Sequence, residues 1–335
     1  PEDPTTPLQA LMDFAGHSGS DQLGYVLTDG GDFNGDGRVD LIAAALQEEA
    51  PSSFGADYHN PQGCESIGNN TGAAMVFLGQ EGGDVGAAPG FIYYGPQAST
   101  RISALAGNFD FNGDGLDDMA AASYDWDGRY SNIGGVSVLL GRETTEDAIE
   151  VLCDPALLVL GAEDNGQLGY SVTGAGDLNG DGCDDLALGG PFVDNDGLGN
   201  QGQVLILFGF GGQGCPAEPS GALLFAGVSN ANLGTGLSGG YDIDSDGVPD
   251  LAIGARNNQV GDDRPGSVFV VSGASLGALT PSPITSGEEM TLNTGVTLGA
   301  VDVIATLHGR VNGSQFGQSV ALVPELSGPG LAGVA

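Results

Sequence analysis

The stretch that decides the fold reads Asp-Phe-Asn-Gly-Asp-Gly-Arg-Val-Asp and occupies residues 32–40. It recurs as Asp-Phe-Asn-Gly-Asp-Gly-Leu-Asp-Asp at 110–118, as Asp-Leu-Asn-Gly-Asp-Gly-Cys-Asp-Asp at 177–185 and as Asp-Ile-Asp-Ser-Asp-Gly-Val-Pro-Asp at 242–250. All four copies, called loops 1 to 4 below, carry oxygen-bearing side chains at positions 1, 3, 5 and 9 and glycine at position 6. The chain is therefore built on a repeat.

The spacing of these oxygens predicts about four Ca²⁺ sites. Ca²⁺ takes about six to eight oxygen ligands, and glycine at position 6 permits the sharp turn that brings alternate side chains inward. The main-chain carbonyl of position 7 is also expected to point at the ion. If the four loops bound no cation, their clustered carboxylates would repel each other with no opposite charge to offset the repulsion. The predicted ligands are Asp32, Asn34, Asp36, Arg38, Asp40, Asp110, Asn112, Asp114, Leu116, Asp118, Asp177, Asn179, Asp181, Cys183, Asp185, Asp242, Asp244, Asp246, Val248 and Asp250.

These loops differ from the EF-hand type of calcium loop. An EF-hand requires Glu at position 12, but here that position holds Ala43, Ala121, Leu188 and Ile253. Each of these residues lies in a short apolar run. The sequence therefore predicts that every loop leads into a buried strand and not into a helix.

The residues around each loop predict four strands per repeat. A lead-in such as Leu-Gly-Tyr-Val-Leu at 23–27 precedes the loop, and an apolar run follows it. A third strand, rich in β-branched and large apolar residues, is predicted between two glycines seven residues apart. Four strands over roughly 65–80 residues are typical of a β-propeller blade. The predicted fold is all-β, a propeller of four-stranded antiparallel blades with about five repeats. The glycine pairs are Gly72/Gly79, Gly134/Gly141, Gly202/Gly209 and Gly266/Gly273.

The domain prediction is a Pro-rich arm at 1–9 and one propeller domain at 10–335, with insertions at about 47–71 and 274–300. The second insertion is expected to form an extra hairpin. A fifth lead-in occupies 315–320, but the loop that follows it has lost most of its ligands, so no calcium is predicted there. The strand expected at 10–16 can close the ring by pairing with the C-terminal part of the chain, and a neighbouring molecule is the alternative donor of a strand.

Composition excludes several classes of function. The 335 residues carry a net charge of −37, and all seven basic residues are Arg. Nucleic acid and anionic membrane surfaces are therefore unsuitable partners. No run of about 20 apolar residues exists, so no membrane insertion is predicted. Pro1 is expected to be a processed start or a fragment boundary.

Several features predict an extracellular location. Cys64, Cys153, Cys183 and Cys215 allow two disulfides in three pairings, which the sequence leaves open. Asn69 and Asn312 begin Asn-x-Ser/Thr triplets and are candidates for glycosylation. Calcium loops and an even number of cysteines are typical of proteins outside the cell.

The repeat resembles the FG-GAP repeat of integrin-α-type propellers. The resemblance is carried by Leu-Gly-Tyr-Ser-Val at 168–172, by loop 3 and by Asp-Leu-Ala-Leu-Gly-Gly-Pro at 185–191, and it extends over nearly the whole chain. It implies calcium loops on the hairpins between the first and second strands of each blade. Integrin α propellers have seven blades, whereas five lead-ins are visible here.

No catalytic residue is predicted. The sequence has no Walker-type phosphate-binding loop and no His-rich metal motif. His59 is the histidine with the best opportunity for a catalytic or metal role, and Trp126 is interpreted as a loop anchor in preference to a sugar platform. The leading hypothesis is a non-catalytic adhesion or structural module that binds a protein or glycan ligand. A self-assembling filament subunit comes second, and a secreted polysaccharide hydrolase or lyase is the alternative.

Overall fold

The computed structural model describes residues 21–48, 58–59, 71–82, 84–86, 88–95, 100–143, 149–152, 154–212, 214–290, 295–323 and 333–334. Within these ranges the regular structure is almost entirely strand, with one short helix, α1 (Gly273–Gly277), and a 3₁₀ turn at Leu298–Ala300. The strands are β1 (Leu23–Gly31), β2 (Asp40–Ala45), β3 (Tyr58–His59), β4 (Ala73–Phe77), β5 (Phe91–Tyr94), β6 (Ala104–Phe109), β7 (Asp118–Ser123), β8 (Gly135–Leu139), β9 (Ile149–Leu152), β10 (Leu157–Leu160), β11 (Ser171–Gly176), β12 (Asp185–Gly190), β13 (Gln203–Phe208), β14 (Ser220–Phe225), β15 (Leu233–Tyr241), β16 (Asp250–Ala255), β17 (Ser267–Val271), β18 (Ser282–Pro283), β19 (Val296–Thr297), β20 (Val303–His308), β21 (Leu322–Val323) and β22 (Gly333–Val334).

Four antiparallel units of four strands make up the body of the molecule. Blade 1 has the order β1-β2-β4-β5, blade 2 β6-β7-β8-β10, blade 3 β11-β12-β13-β14 and blade 4 β15-β16-β17-β20. The first strands lie side by side, because β1 contacts β6, β6 contacts β11 and β11 contacts β15. This arrangement confirms the predicted all-β propeller architecture.

The second and third strands of each blade are mainly apolar because both of their faces are buried. In β12 and β13, Leu186 and Leu205 face a core shared with blade 2. Their sequence neighbours Ala187 and Val204 face a second core shared with blade 4. Since side chains alternate between the two faces of a strand, one apolar run fills two inter-blade cores. The continuous hydrophobicity seen in the sequence of these strands therefore follows from burial on both faces.

The first glycine of each pair lies where one blade meets the next. Gly202 has φ +79°, and a Cβ there would lie 2.3 Å from the main-chain nitrogen of Leu233 in the lead-in of blade 4. Gly72, Gly134 and Gly266 make the same kind of contact with Ile102, Leu168 and Phe316, the corresponding lead-in residues. Only glycine allows this backbone approach with positive φ. The contact between Gly266 and Phe316 also seats the predicted fifth lead-in on blade 4.

Additional segments cover the outer edges of blades 1 to 3. Strand β9, which belongs to the connection before β10, pairs in parallel with β5 of blade 1, and β3 pairs with β9. The segment before β20 extends over two blades: β18 and β19 pair with β14, and the main chain of Met290 bonds to Leu160 in β10. An unpaired strand edge presents free backbone N–H and C=O groups, with which another segment can form hydrogen bonds.

The expectation of a separate hairpin in the 274–300 insertion is wrong for its described part. Strands β18 and β19 both pair with β14 and not with each other. The physical reason is that the edge of β14 offers a ready row of backbone donors and acceptors.

The ends of the propeller are described only in part. Strands β21 and β22 pair as the first and second strands of a fifth unit would pair after the lead-in at 315–320. The strand expected at 10–16, and with it the closure of the ring, lies outside the described residues. The boundaries at 1–9 and 10–335 remain predictions. Within the described ranges, no helix has the length and apolar character needed to cross a membrane.

Candidate metal centre

Each of the four loops joins the first strand of a blade to the second, as the resemblance implies. The loops lie between β1 and β2, β6 and β7, β11 and β12, and β15 and β16. A register shift precedes every loop, for example between Asp29 and Gly31. Such bulges turn the strand end and position the loop residues. All four loops therefore project from the same end of their blades.

Within each loop the carboxylates turn inward because they accept hydrogen bonds from the loop's own backbone. In loop 1, Asp32 accepts from the N–H groups of Asp36 at 2.9 Å and Gly37 at 2.8 Å. Asn34 Oδ1 accepts from Asp36, and Asp36 Oδ1 accepts from Arg38. The same bonds recur in loops 2, 3 and 4. Side-chain oxygens of positions 1, 3 and 5 thus converge on one side of the turn.

The position-9 aspartate is the buried centre of each loop. Asp118 is fully buried, and its two oxygens accept from the N–H groups of Phe111 and Gly141, both at 2.7 Å. In every blade the donors are position 2 of the loop and the second glycine of the pair, at 2.7–3.0 Å. The carboxylate therefore ties the loop to the end of the third strand. The other three aspartates in this role are Asp40, Asp185 and Asp250.

Burial makes these carboxylates costly to ionise. Loss of hydration raises the pKa of Asp118 and Asp185 to about 8 and that of Asp40 to about 6. Burial raises the pKa of Asp250 as well. The backbone hydrogen bonds act in the opposite direction, and the neighbouring loop aspartates add to the rise. A cation placed among these groups would supply the missing opposite charge.

The donor set fits a hard divalent cation. Oxygens of Asp242, Asp244 and Asp250 lie within 4.8 Å of one another in loop 4. In loop 3, Asp181 Oδ2 is buried and accepts no hydrogen bond from any described residue. A carboxylate offers about four lone-pair sites, so the two hydrogen bonds on each position-9 aspartate leave capacity for a metal. The ligand assignments themselves, including the position-7 carbonyls, remain predictions.

Loop 1 differs from the others in one contact. The Arg38 guanidinium forms a 3.0 Å ion pair with Asp36 Oδ2, and both side chains are partly exposed. An exposed pair of this kind contributes little stability. We therefore expect Arg38 to release Asp36 readily to a cation.

The comparisons with known proteins agree with this geometry. A family model for the FG-GAP repeat matches residues 168–207, from the third lead-in through loop 3 to β13. The chain carries an FG-GAP repeat at these residues. Integrin alpha-5 of Xenopus laevis is 32% identical over 175 residues, which is 49% of this chain and 16% of the relative. Integrin alpha-IIb of Mus musculus is 31% identical over 167 residues, or 48% of this chain and 15% of the relative. Integrin alpha-8 of Gallus gallus is 28% identical over 242 residues, or 70% of this chain and 20% of the relative.

These relatives are much longer than the matched segment. The FG-GAP chain spans between 15% and 20% of their length. Integrin-type FG-GAP propellers are extracellular, which confirms the predicted extracellular location of this chain.

The disulfide pairing of the FG-GAP chain is resolved in part. Cys183 and Cys215 form a disulfide with a Cα–Cα distance of 5.9 Å. It joins position 7 of loop 3 to the connection between β13 and β14, and Cys215 Sγ lies 3.1 Å from the carbonyl oxygen of Asn112 in loop 2. Cys64, Cys153 and Asn69 lie outside the described residues. Asn312 is exposed, and its glycosylation remains a prediction.

The remaining candidate residues of the FG-GAP chain have structural surroundings. Trp126 is buried against Ile133 and Leu160, which confirms its interpretation as a loop anchor. His308 Nδ1 lies 2.8 Å from the hydroxyl of Ser267 in the neighbouring strand. The backbone of His59 pairs with β9.

Proposed function

We propose that this chain is a calcium-stabilised extracellular propeller module that mediates adhesion without catalysis. The observation that carries the proposal is the fourfold recurrence of one loop geometry, with a buried position-9 aspartate that lacks a cationic side chain as partner among the described residues. Side chains at positions 1, 3, 5 and 9 and the carbonyl at position 7 would hold the ion. Bound Ca²⁺ would supply the positive charge that these carboxylates need. The similarity to integrin α chains supports the adhesive role.

The surface that best supports ligand binding lies at the strand ends opposite the loops. There the Arg256 guanidinium stacks over the rings of Tyr170 and Phe192, at 6.0 and 5.2 Å from their centroids. Tyr124 continues this row, with its ring 5.6 Å from that of Tyr170. Aromatic residues and Arg are enriched at protein interfaces. These side chains come from three consecutive blades and are half-buried, so a protein ligand would meet a preformed surface.

A binding experiment tests this role. The calcium-loaded chain is expected to bind at least one member of a panel of purified extracellular-matrix proteins, with a glycan array run in parallel. Replacing Arg256 or Tyr170 by Ala should weaken that binding about 30-fold, the effect of losing an interface hot spot. Arg142→Ala, on the loop side of blade 2, is the matched control and should bind normally.

The outcomes separate the proposed role from its alternatives. Binding confined to the glycan array would change the ligand class. Equal binding by Arg256→Ala and the wild type would place the ligand elsewhere. Cleavage of a polysaccharide panel by the wild-type chain would support the hydrolase or lyase alternative and overturn the adhesion proposal.

A second candidate function is self-assembly, and the edge of β20 favours it. Among the described residues no segment pairs with the outer edge of β20, whereas β5, β10 and β14 are all covered. Strand β20 reads Val-Ile-Ala-Thr-Leu-His, is exposed along its length and contains no carboxylate. In a chain of net charge −37, such an uncharged edge is where a strand of a second copy could pair with least repulsion.

Sedimentation measures this association. We expect the wild type to form dimers or larger assemblies as its concentration rises, and Ile304→Lys to remain monomeric because a charge on the edge opposes strand addition. Val260→Lys is the control, since Val260 and Ile304 are both 36% exposed and Val260 lies outside β20, in the connection between β16 and β17. A wild-type chain that stays monomeric at every concentration, or an Ile304→Lys variant that still assembles, contradicts the idea.

A further inference from the structure

We propose that Asp117 and Asp184, at position 8 of loops 2 and 3, are positioning residues for the calcium site of the preceding blade. Each holds the first ligand of that neighbouring site and does not serve its own loop. The calcium sites of loops 1, 2 and 3 are thereby coupled in series, and the coupling ends before loop 4. The inference rests on the proposed calcium binding. It gives a role to two aspartates that are not among the predicted ligands.

The contact between loops 1 and 2 engages both the N–H and the carbonyl of one residue. Asp117 Oδ2 accepts a 2.7 Å hydrogen bond from the N–H of Asp32, and the N–H of Asp117 donates to the carbonyl of Asp32 at 3.2 Å. The approach is close, because a Cβ on Gly31 would lie 2.3 Å from the Asp117 carboxyl carbon. The backbone of Asp32 is therefore clamped by the next blade, while its side chain faces loop 1.

The same two hydrogen bonds link loops 2 and 3. Asp184 Oδ2 accepts from the N–H of Asp110 at 3.0 Å, and the N–H of Asp184 donates to the carbonyl of Asp110 at 2.8 Å. Both clamped residues, Asp32 and Asp110, occupy position 1, which supplies oxygens to the predicted site. The contact therefore recurs with the same pair of hydrogen bonds in two successive blades.

Loop 4 cannot make this contact. Its position 8 is Pro249, which has neither an N–H nor a carboxylate, so Asp177 of loop 3 loses both partners. The proline ring instead packs against Gly176, where a Cβ would lie 2.7 Å from Pro249 Cγ. At the other end of the series, position 8 of loop 1 is Val39. Its side chain is apolar and 66% exposed. Loops 1 and 2 are thus clamped from the following blade, and loop 3 is not.

A residue that orients a metal ligand without touching the metal changes affinity by about 10- to 100-fold when it is removed. Asp117→Ala should therefore weaken one calcium site, and that site is loop 1. Asp117→Asn retains an oxygen acceptor for the Asp32 N–H and should keep most of the affinity. Asp262→Ala removes one exposed carboxylate elsewhere and controls for the general loss of negative charge.

Calcium-binding isotherms measured by calorimetry in two backgrounds locate the affected site. Asp36→Ala disables loop 1, and Asp114→Ala disables loop 2. We expect Asp117→Ala to weaken a remaining site about tenfold in the Asp114→Ala background and to change nothing in the Asp36→Ala background. Circular dichroism of each variant checks that it is folded before the isotherm is compared.

The opposite pattern overturns the proposal. If Asp117→Ala acts only when loop 2 is intact, Asp117 serves its own loop. If Asp117→Ala and Asp262→Ala weaken calcium equally, the effect is general charge. If the wild-type chain takes up no calcium, the proposed function fails at an earlier step, and that result is distinct from either of these.

Discussion

Removal of calcium by EDTA is expected to lower the melting temperature of this chain by about 10–20 °C, a larger shift than any single substitution should cause. A ligand that binds only the folded state stabilises it by about 2.7 kcal/mol when present at 100 times its dissociation constant. Four such sites would contribute on the order of 10 kcal/mol. The buried aspartates give the physical reason, because burial makes their ionisation costly and a bound cation offsets that cost.

Differential scanning calorimetry measures this shift. EDTA that has already been saturated with Ca²⁺ is the control and should leave the transition unchanged. Return of excess Ca²⁺ should restore the original melting temperature. Superimposable transitions with free EDTA and with calcium-saturated EDTA would mean that the loops do not bind the ion, and the functional proposal would fall with them.

Replacing the position-9 aspartate of loop 2 is expected to destabilise the chain even in the absence of calcium. Asp118→Ala leaves the N–H groups of Phe111 and Gly141 buried without an acceptor. Each orphaned donor costs about 1–3 kcal/mol, so the free energy of unfolding should fall by about 2–6 kcal/mol. The loss separates blade 2's loop from the end of its third strand.

Asp114→Ala is the matched comparison, because it removes a predicted ligand of the same loop that is exposed to solvent. Urea unfolding should be measured in EDTA and in calcium for both variants. We expect Asp118→Ala to be destabilised in both solutions and Asp114→Ala chiefly in calcium. If the two variants unfold alike in EDTA, the buried aspartate has no structural role beyond ion binding.

The repeat and its strands could be predicted from sequence because their causes are local. Positions 1, 3 and 5 of each loop bond to the loop's own backbone, and a pattern of side chains two residues apart reports such contacts directly. The spacing of Gly202 and Gly209 likewise marked the two ends of β13. These signals depend on residues close in sequence, so a single chain reveals them.

Contacts between residues far apart in the chain could not be predicted in the same way. The role of Asp118 depends on Gly141, 23 residues later, and that of Asp117 on Asp32, 85 residues earlier. Nothing in the local sequence selects those partners. The recurrence of the second glycine in every blade was the signal that could have indicated a shared partner, and Asp at position 8 in only two loops was too weak a signal. The pairing of Cys183 with Cys215 required the same tertiary information.

The segment between β17 and β20 has a consequence for how the molecule comes apart. Arrays of repeats in which each unit touches only its neighbours can fray from one end, one unit at a time. Here a part of blade 4 is hydrogen-bonded to β14 of blade 3 and, through Met290, to β10 of blade 2. Opening of blade 4 would therefore expose the edges of β14 in blade 3 and β10 in blade 2. Blades 2, 3 and 4 should consequently exchange their amide hydrogens as a single foldon, and blade 1 should join it, because β9 in the connection of blade 2 pairs with β5.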